Sequence, residues 1–178
     1  MTADDTALLH SPLHGVHEAA GAKFAPFSGW LMPLEYDGVN AEHTAVRTSV
    51  GLFDVSHLGT LLVAGPGAAA ALNELFTNDL TRIAAGQAQY TMLCDEAGRV
   101  KDDIIVYLLA GSADDASQTV DEVLIVPNAA NAAYVRMAVE EVLGPDCVVT
   151  DAHEDMAIIA VQGPASTDLL RDAGLQTE

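Results

Sequence analysis

Two apolar, β-rich runs, Gln89–Leu93 and Val100–Leu109, flank the six residues Cys94-Asp-Glu-Ala-Gly-Arg99. Runs bounded in this way pair as an antiparallel hairpin, and Gly98 suits the left-handed backbone that such a loop requires. The segments on either side extend the pattern. Leu58–Val63 is a short apolar run closed by Gly65-Pro66-Gly67, which predicts a strand. Ala68–Leu75 reads as a helix, with Leu72, Leu75 and Phe76 on one face. Glu122–Val126 is another strand. Asn128 is placed to cap a helix whose apolar stripe is Ala132, Val135, Val139 and Val142, at spacings of three and four. Gly144-Pro145 ends that helix, and Cys147–Thr150 is a further strand. Read from Leu58 to Thr150 as strand, helix, strand, strand, helix, strand, the order is the split βαβ, ferredoxin-like plan. Its helices lie on one face of an antiparallel sheet, and the fold class is α+β.

The flanks are organised differently. Ser11-Pro12 reads as the N-cap and first residue of a helix that Gly21 ends. Gly21–Tyr36 is punctuated by Gly and Pro, and predicts extended segments broken by turns around Phe24, Phe27 and Trp30. Asn40 is placed to cap a short helix through Val46, with Gly51 as its stop. Met156–Val161 is an apolar strand expected to be buried, and Ala165–Asp172 begins a helix. A buried strand so near residue 178 needs neighbours that the remaining residues hardly supply. The expectation is therefore an incomplete protein, with residues 58–150 as a subdomain inserted between 1–57 and 151–178. Met1–Leu8 is expected to fray, and the Ser-, Ala- and Asp-rich loop Gly111–Val120 to be exposed.

Composition narrows the functional classes. The 178 residues suffice for one generous domain or two small ones, and 50% of them are hydrophobic. No stretch reaches the ~18 uncharged apolar residues that span a bilayer. The N-terminus has no basic region before an apolar run, so no signal peptide is read. Cys94 and Cys147 form no CxxC, which argues against a disulfide framework or a zinc pattern. A cytoplasmic protein with reduced thiols is the expectation. Seven Lys and Arg stand against 26 Asp and Glu, a net charge of −19. Such a chain lacks the basic footprint of a nucleic-acid binder and is disfavoured at anionic membrane surfaces.

Few residues mark chemistry by themselves. Asp102 and Asp103 open an otherwise uncharged strand, and as neighbours on a strand they point to opposite faces. One reading is a partly desolvated carboxylate suited to accept a proton or hold an N–H. The other is a solvated pair beside Lys101. Asn128 is explained by capping alone, and Tyr90 and Tyr107 by packing with a satisfied hydroxyl. His10, His14 and His17 have helical spacing, but no carboxylate or thiolate completes a metal site, so none is assigned. Asp54, Ser56 and His57 are too crowded in sequence to be a hydrolase triad. No nucleophile elbow, P-loop or dinucleotide fingerprint is present.

Seven stretches together resemble the N-terminal half of the glycine cleavage system T-protein family. They are Gly21–Tyr36 (GAKFAPFSGWLMPLEY), Glu42–His57 (EHTAVRTSVGLFDVSH), Thr77–Leu80 (TNDL), Gln89–Thr91 (QYT), Asp102–Tyr107 (DDIIVY), Val126–Ala129 (VPNA) and Val161–Pro164 (VQGP). They stand in the family's order and spacing and cover nearly all of the chain after Ser11.

The resemblance implies a tetrahydrofolate-dependent aminomethyltransferase. Such an enzyme takes the one-carbon unit from the aminomethyl-lipoyl arm of the H-protein, releases ammonia and forms methylenetetrahydrofolate. It implies that the ferredoxin-like subdomain is inserted in a second folate-binding subdomain, here incomplete. It implies Asp103 as the catalytic carboxylate near the pterin, with Leu58, Tyr90, Leu124, Val126 and Asn128 also at folate-contacting positions. Arg99 departs from the pattern where the family has a glycine in the hairpin turn, as does Leu58 where methionine is common. The family's Gly-Tyr-Thr-Gly-Glu segment, expected after Glu178, would supply further pterin contacts. Two alternatives stand beside it: a folate domain of a related demethylase or dehydrogenase, which shares the Asp-bearing hairpin, and a non-catalytic folate-binding accessory protein, whose Lys-Gly-Cys-Tyr-type motif is not visible here.

Overall fold

The computed structural model describes residues 8–109 and 120–175. In chain order the elements are β1 (Leu9–His10), α1 (His14–Ala19), β2 (Lys23–Phe27), β3 (Trp30–Glu35), α2 (Val39–Thr48), β4 (Gly51–Asp54), β5 (Leu61–Pro66) and α3 (Ala68–Leu75). They continue as β6 (Ala88–Cys94), β7 (Val100–Leu109), β8 (Val120–Val126), α4 (Ala132–Val142), β9 (Val148–Asp151), β10 (Ile159–Gln162) and α5 (Ser166–Asp172). Short 3-10 turns lie at Leu80–Arg82 and Ala129–Asn131. The chain divides into two compact units: Met1–His57 with Asp155–Glu178, and Leu58–Glu154.

The Leu58–Glu154 unit is a five-stranded sheet in the order β6-β7-β8-β5-β9, and every neighbouring pair is antiparallel. The four-strand plan is therefore exceeded by one strand. β8 is a strand in its own right, lying between the hairpin and β5. The hairpin itself forms as its residues dictate. Gly98 has φ +74, and the Asp95 carboxylate closes the loop by accepting the Ala97 and Arg99 N–H groups, each at 3.0 Å. Arg99 Nε and Lys101 Nζ also meet Asp95, at 2.9 and 3.2 Å. The Arg99 N–H bond and these partners hold the Asp95 carboxyl below its ordinary range against the effect of burial. The register shifts at Leu93/Cys94: Leu93 faces Asp102 and Cys94 faces Val100, which leaves Lys101 as the extra residue of a bulge.

Strand alternation sorts this sheet into two faces. Leu61, Val63, Ile104, Val106, Val123 and Ile125 point inward and are buried together with Leu72 of α3 and Val135 and Val139 of α4. α3 packs on β8, β5 and α4. It spans Ala68–Leu75 as its pattern predicts, and Phe76 beyond its end is buried as well. Of the predicted α4 stripe, Val135 and Val139 are fully buried while Val142 is 38% exposed, since the helix ends there. The other face carries Asp103, Ile105 and Tyr107 of β7, with Leu124 and Val126 of β8 in register beside them.

In the second unit β2 and β3 form a hairpin, with β1 parallel to β3. β4 pairs with β10 in a separate two-stranded sheet. Trp30 and Met32 are buried, but Phe27 is 55% exposed and meets the His57 ring edge-on. As the last residue of β2, Phe27 lies at the hairpin tip, where there is no core to enter. α1 begins at His14, later than the Ser11-Pro12 signal predicts, because Ser11 builds a preceding turn: its hydroxyl accepts the Leu13 N–H at 3.1 Å. α2 is not capped by Asn40. Gly38, at φ +103, precedes it, and the Glu42 carboxylate reaches back to the Tyr36, Asp37 and Gly38 N–H groups. Gly51 opens β4 instead of stopping α2; a Cβ there would lie 2.3 Å from Val46 Cγ2. Of the Met156–Val161 run, only Ile159–Val161 lies in a strand, which extends to Gln162, and Ile159 is half exposed. Residues 1–7 and nearly all of the Gly111–Val120 loop lie outside the described residues.

Candidate functional site

Asp102 and Asp103 occupy opposite faces of β7, and their surroundings differ accordingly. Asp102 is 3% exposed, on the inward face. Its carboxylate accepts the Asn128 N–H at 3.0 Å, the Asn128 amide at 3.0 Å and the Asn131 amide at 2.7 Å. Three donors offset the cost of burying a charge. Asp103 is exposed, on the outward face. Its Oδ1 accepts the Asn128 amide at 3.0 Å, and its Oδ2 accepts the Tyr90 hydroxyl. The bond to Asp103 favours the neutral phenol and holds Tyr90 above its ordinary range, reinforced by partial burial and by the charges of both aspartates. A carboxylate has about four lone-pair sites, so Asp103 keeps the capacity to accept a further N–H from the open face of the sheet.

That face is apolar next to the carboxylate. Tyr90 pairs with Ile105, and Ile105 with Val126, so these three side chains form one row across three strands. Tyr107 and Leu124 form the adjacent row. Val126 is buried, Ile105, Tyr107 and Leu124 are half-buried, and Tyr90 is 55% exposed. Leu58 lies just before Gly59, whose N–H donates to Pro127 O at 2.9 Å. This bond brings residues 58 and 59 beside the Val126–Asn128 segment. A Cβ at position 59 would come within 2.7 Å of Pro127 and 2.9 Å of Ala132, so this approach requires glycine. The fold thus gathers Tyr90, Asp103, Leu124, Val126 and Asn128 around one end of the outward face, with Leu58 adjacent.

Asn128 does not cap α4. The 3-10 turn at Ala129–Asn131 intervenes, no side chain caps that turn or the helix, and the Asn128 amide is turned to the two aspartates. Sequence spacing gives no hint of this, because the partners lie 25 and 26 residues away.

A second polar cluster lies in the other unit. The Asp54 side chain, 1% exposed, accepts the Ser11 hydroxyl at 2.5 Å, His17 Nε2–H at 2.7 Å and the Ser56 N–H at 2.9 Å. In the neutral ring His17 Nδ1 then accepts the Tyr36 hydroxyl, at 2.6 Å. Burial raises the Asp54 carboxyl, but its hydrogen bonds from Ser11, Ser56 and His17 together outweigh that and hold it below its ordinary range. Burial, with the charges of Asp54 and Glu42, pushes the Tyr36 phenol up. The His10, His14 and His17 series does not converge. His14 stacks on His10 and meets the Phe24 ring at a tilt, while His17 turns to Asp54. Among the described residues no group of three or more His, Cys, Asp or Glu is arranged to hold a metal ion, and no helix is long and apolar enough to cross a membrane. Cys94 and Cys147 are free thiols, half-buried.

The comparisons with known proteins agree with one another. The family described as GCVT N-terminal domain matches residues 13–177. An aminomethyltransferase of Mycobacterium bovis is 56% identical over 107 residues, which cover 60% of this chain and 29% of that protein. One from Parafrankia sp. is 60% identical over 105 residues, covering 58% of this chain and 29% of that protein. The crystal structure of glycine cleavage system aminomethyltransferase T from Bartonella henselae superposes with a TM-score of 0.80 at 36% identity. That superposition covers 96% of this chain and 45% of the other, so the chain spans less than half the length of the relatives it matches. On the match to residues 13–177, the chain belongs to the GCVT N-terminal domain family.

Proposed function

We propose that this chain forms the folate-facing N-terminal portion of an aminomethyltransferase of the glycine cleavage system. The reaction would pass the one-carbon unit of an aminomethyl-lipoyl H-protein to tetrahydrofolate, with release of ammonia. The observation that carries the reading is the Asp103 carboxylate, held by Tyr90 and Asn128 at the border of an apolar sheet face with acceptor capacity to spare. A flat, partly apolar ring system with N–H groups at its edge suits such a face: Ile105, Val126 and Leu124 offer packing, and the carboxylate offers an acceptor. Tetrahydrofolate supplies the nitrogens that receive the one-carbon unit. Asp103 is the catalytic group in this reading. It accepts a nitrogen-bound proton and stabilises positive charge that develops beside it. Tyr90 and Asn128 orient the carboxylate, and Leu58, Leu124 and Val126 exclude water around it.

In the same reading, residues 58–150 are a ferredoxin-like subdomain lengthened by one strand. Residues 1–57 with 151–178 belong to the folate-binding subdomain that surrounds it. The family relationship supports a cytoplasmic enzyme with a lipoyl-protein partner. Cations are few, and Arg99 and Lys101 are engaged by Asp95. The anionic tail of folate therefore gains little here, and binding rests on the ring.

Titration of the chain with tetrahydrofolate under reducing, anaerobic conditions tests the proposal. Saturable binding that Asp103→Ala weakens is the expected result. Binding of equal strength in both proteins would remove Asp103 from the site, and no binding would show that these residues do not make a folate site by themselves.

A further inference from the structure

Asp102 faces the core, away from the open sheet surface, and nothing above gives it a part in the chemistry. Its hydrogen bonds nevertheless lead to Asp103. An ionised carboxylate presents acceptors only. At 3.0 Å from the Asn128 side chain, Asp102 Oδ1 can be met only by the N–H end of that amide. The other two neighbours of this nitrogen are also acceptors: Asp103 O at 3.1 Å and Asp103 Oδ1 at 3.0 Å. Reversing the amide would set its oxygen against three oxygens. Asp102 Oδ2 holds the backbone of the same residue, at 3.0 Å, and Asn131 adds a further donor to Oδ1. Main chain and side chain of Asn128 are thus both anchored to one buried group. The two amide protons are shared between Asp102, which does not face the open surface, and Asp103, which does.

We infer that Asp102 is a positioning residue for the folate site. It fixes the place and the orientation of Asn128, so that the amide donates to the Asp103 carboxylate and holds it toward the apolar face. The consequence for ligand binding rests on the folate reading above, whereas the anchoring itself does not. The arrangement also accounts for two successive aspartates at this point of the strand. Alternation sends one inward as the anchor and the other outward as the acting group.

The test combines exchange with a mutant cycle. In the unchanged chain, the Asn128 side-chain amide protons, followed by NMR, should exchange with water at least about tenfold more slowly than those of a free asparagine, as expected for a held donor. This protection should survive Asp103→Ala, because Asp102 is the anchor, and should disappear in Asp102→Asn. Tetrahydrofolate binding should weaken about tenfold in Asp102→Asn, the scale of one charged hydrogen bond. The double variant Asp102→Asn/Asn128→Ala should bind no more weakly than Asn128→Ala alone, since both changes act through one amide. Unprotected Asn128 protons in the unchanged chain would overturn the assignment. So would protection lost in Asp103→Ala, protection kept in a folded Asp102→Asn, or losses that add in the double variant. Should Asp102→Asn fail to fold, the unchanged chain and Asp103→Ala still decide the question. Should the unchanged chain bind no tetrahydrofolate, these residues do not make the folate site by themselves, and the exchange data alone decide the role of Asp102.

Discussion

His17 Nε2 lies 2.7 Å from the Asp54 carboxylate, across 37 residues of sequence, and the pair is almost wholly removed from solvent. Asp54 also takes the Ser11 hydroxyl, so two residues of the first twenty are tied to the end of β4 through one side chain.

Stability should therefore fall in acid. The folded-state Asp54 carboxyl lies below its ordinary value of 3.8. Its contribution is complete above that value and is lost as the pH falls through the lower, folded one. The melting temperature of the unchanged chain should drop as the pH falls below about 4. Asp54→Asn should lower stability by about 2–3 kcal/mol at neutral pH and flatten the acid limb. An acid limb of the same steepness in Asp54→Asn would show that other carboxylates carry it.

Asp103→Asn should leave the melting temperature nearly unchanged, because the side chain is exposed and the amide keeps its volume. It should abolish transfer in a complete protein, since an amide cannot take up the proton. The Tyr90 phenol should return toward its ordinary range, because its largest perturbation is the bond to Asp103. An ultraviolet pH titration of the phenols reads this directly.

Gly65→Ala should destabilise by roughly 2 kcal/mol or more. Gly65 has φ +145, and a Cβ there would come within 2.6 Å of Cys147 Cα and 2.8 Å of Asp146 O. Backbone offers no flexible end to move aside, so β5 and the start of β9 would have to separate. Denaturant unfolding against the unchanged chain measures the loss.

Val139→Ala should cost about 1–3 kcal/mol, since Val139 is fully buried among α3 and the sheet. Met137→Ala on the same helix should lie within about 0.5 kcal/mol of the unchanged chain, because Met137 is 67% exposed. Equal costs would mean that α4 is rotated from the orientation described.

The hairpin and α3 were legible because their determinants are local. Gly98, the alternating runs beside it and the Ala-rich segment after Gly67 act within a turn or two. What escaped was decided at long range. Asn128 is a good cap by its type, but a buried carboxylate 26 residues away takes its amide. Asn40 likewise yields to Glu42, whose longer side chain reaches three N–H groups at once. Phe27 has the composition of a core residue and the position of a hairpin tip. The β8 segment was readable as a strand, yet the four-strand plan has no place for it. Only the pairing on both its edges shows that the sheet has five. For the candidate site, alternation separated the two aspartates, while the resemblance to a family singled out Asp103. The Ser11–Asp54–His17–Tyr36 cluster had no local signature, and spacing alone would never assemble it.

The ladder between β4 and β10 sets an order of events during synthesis. Ser56 Oγ accepts the Ile158 N–H at 2.9 Å over a separation of 102 residues, and Gly51–Asp54 pairs with Ile159–Gln162 beside it. A nascent chain that has not yet released residue 162 from the ribosome holds every strand of the five-stranded sheet but lacks the partner of β4. The inserted unit can therefore collapse first, while the earlier-made residues wait for their closing strand. A nascent chain that has emerged from the ribosome only to shortly after Glu154 would display the Asp103 face already built and β4 still unpaired.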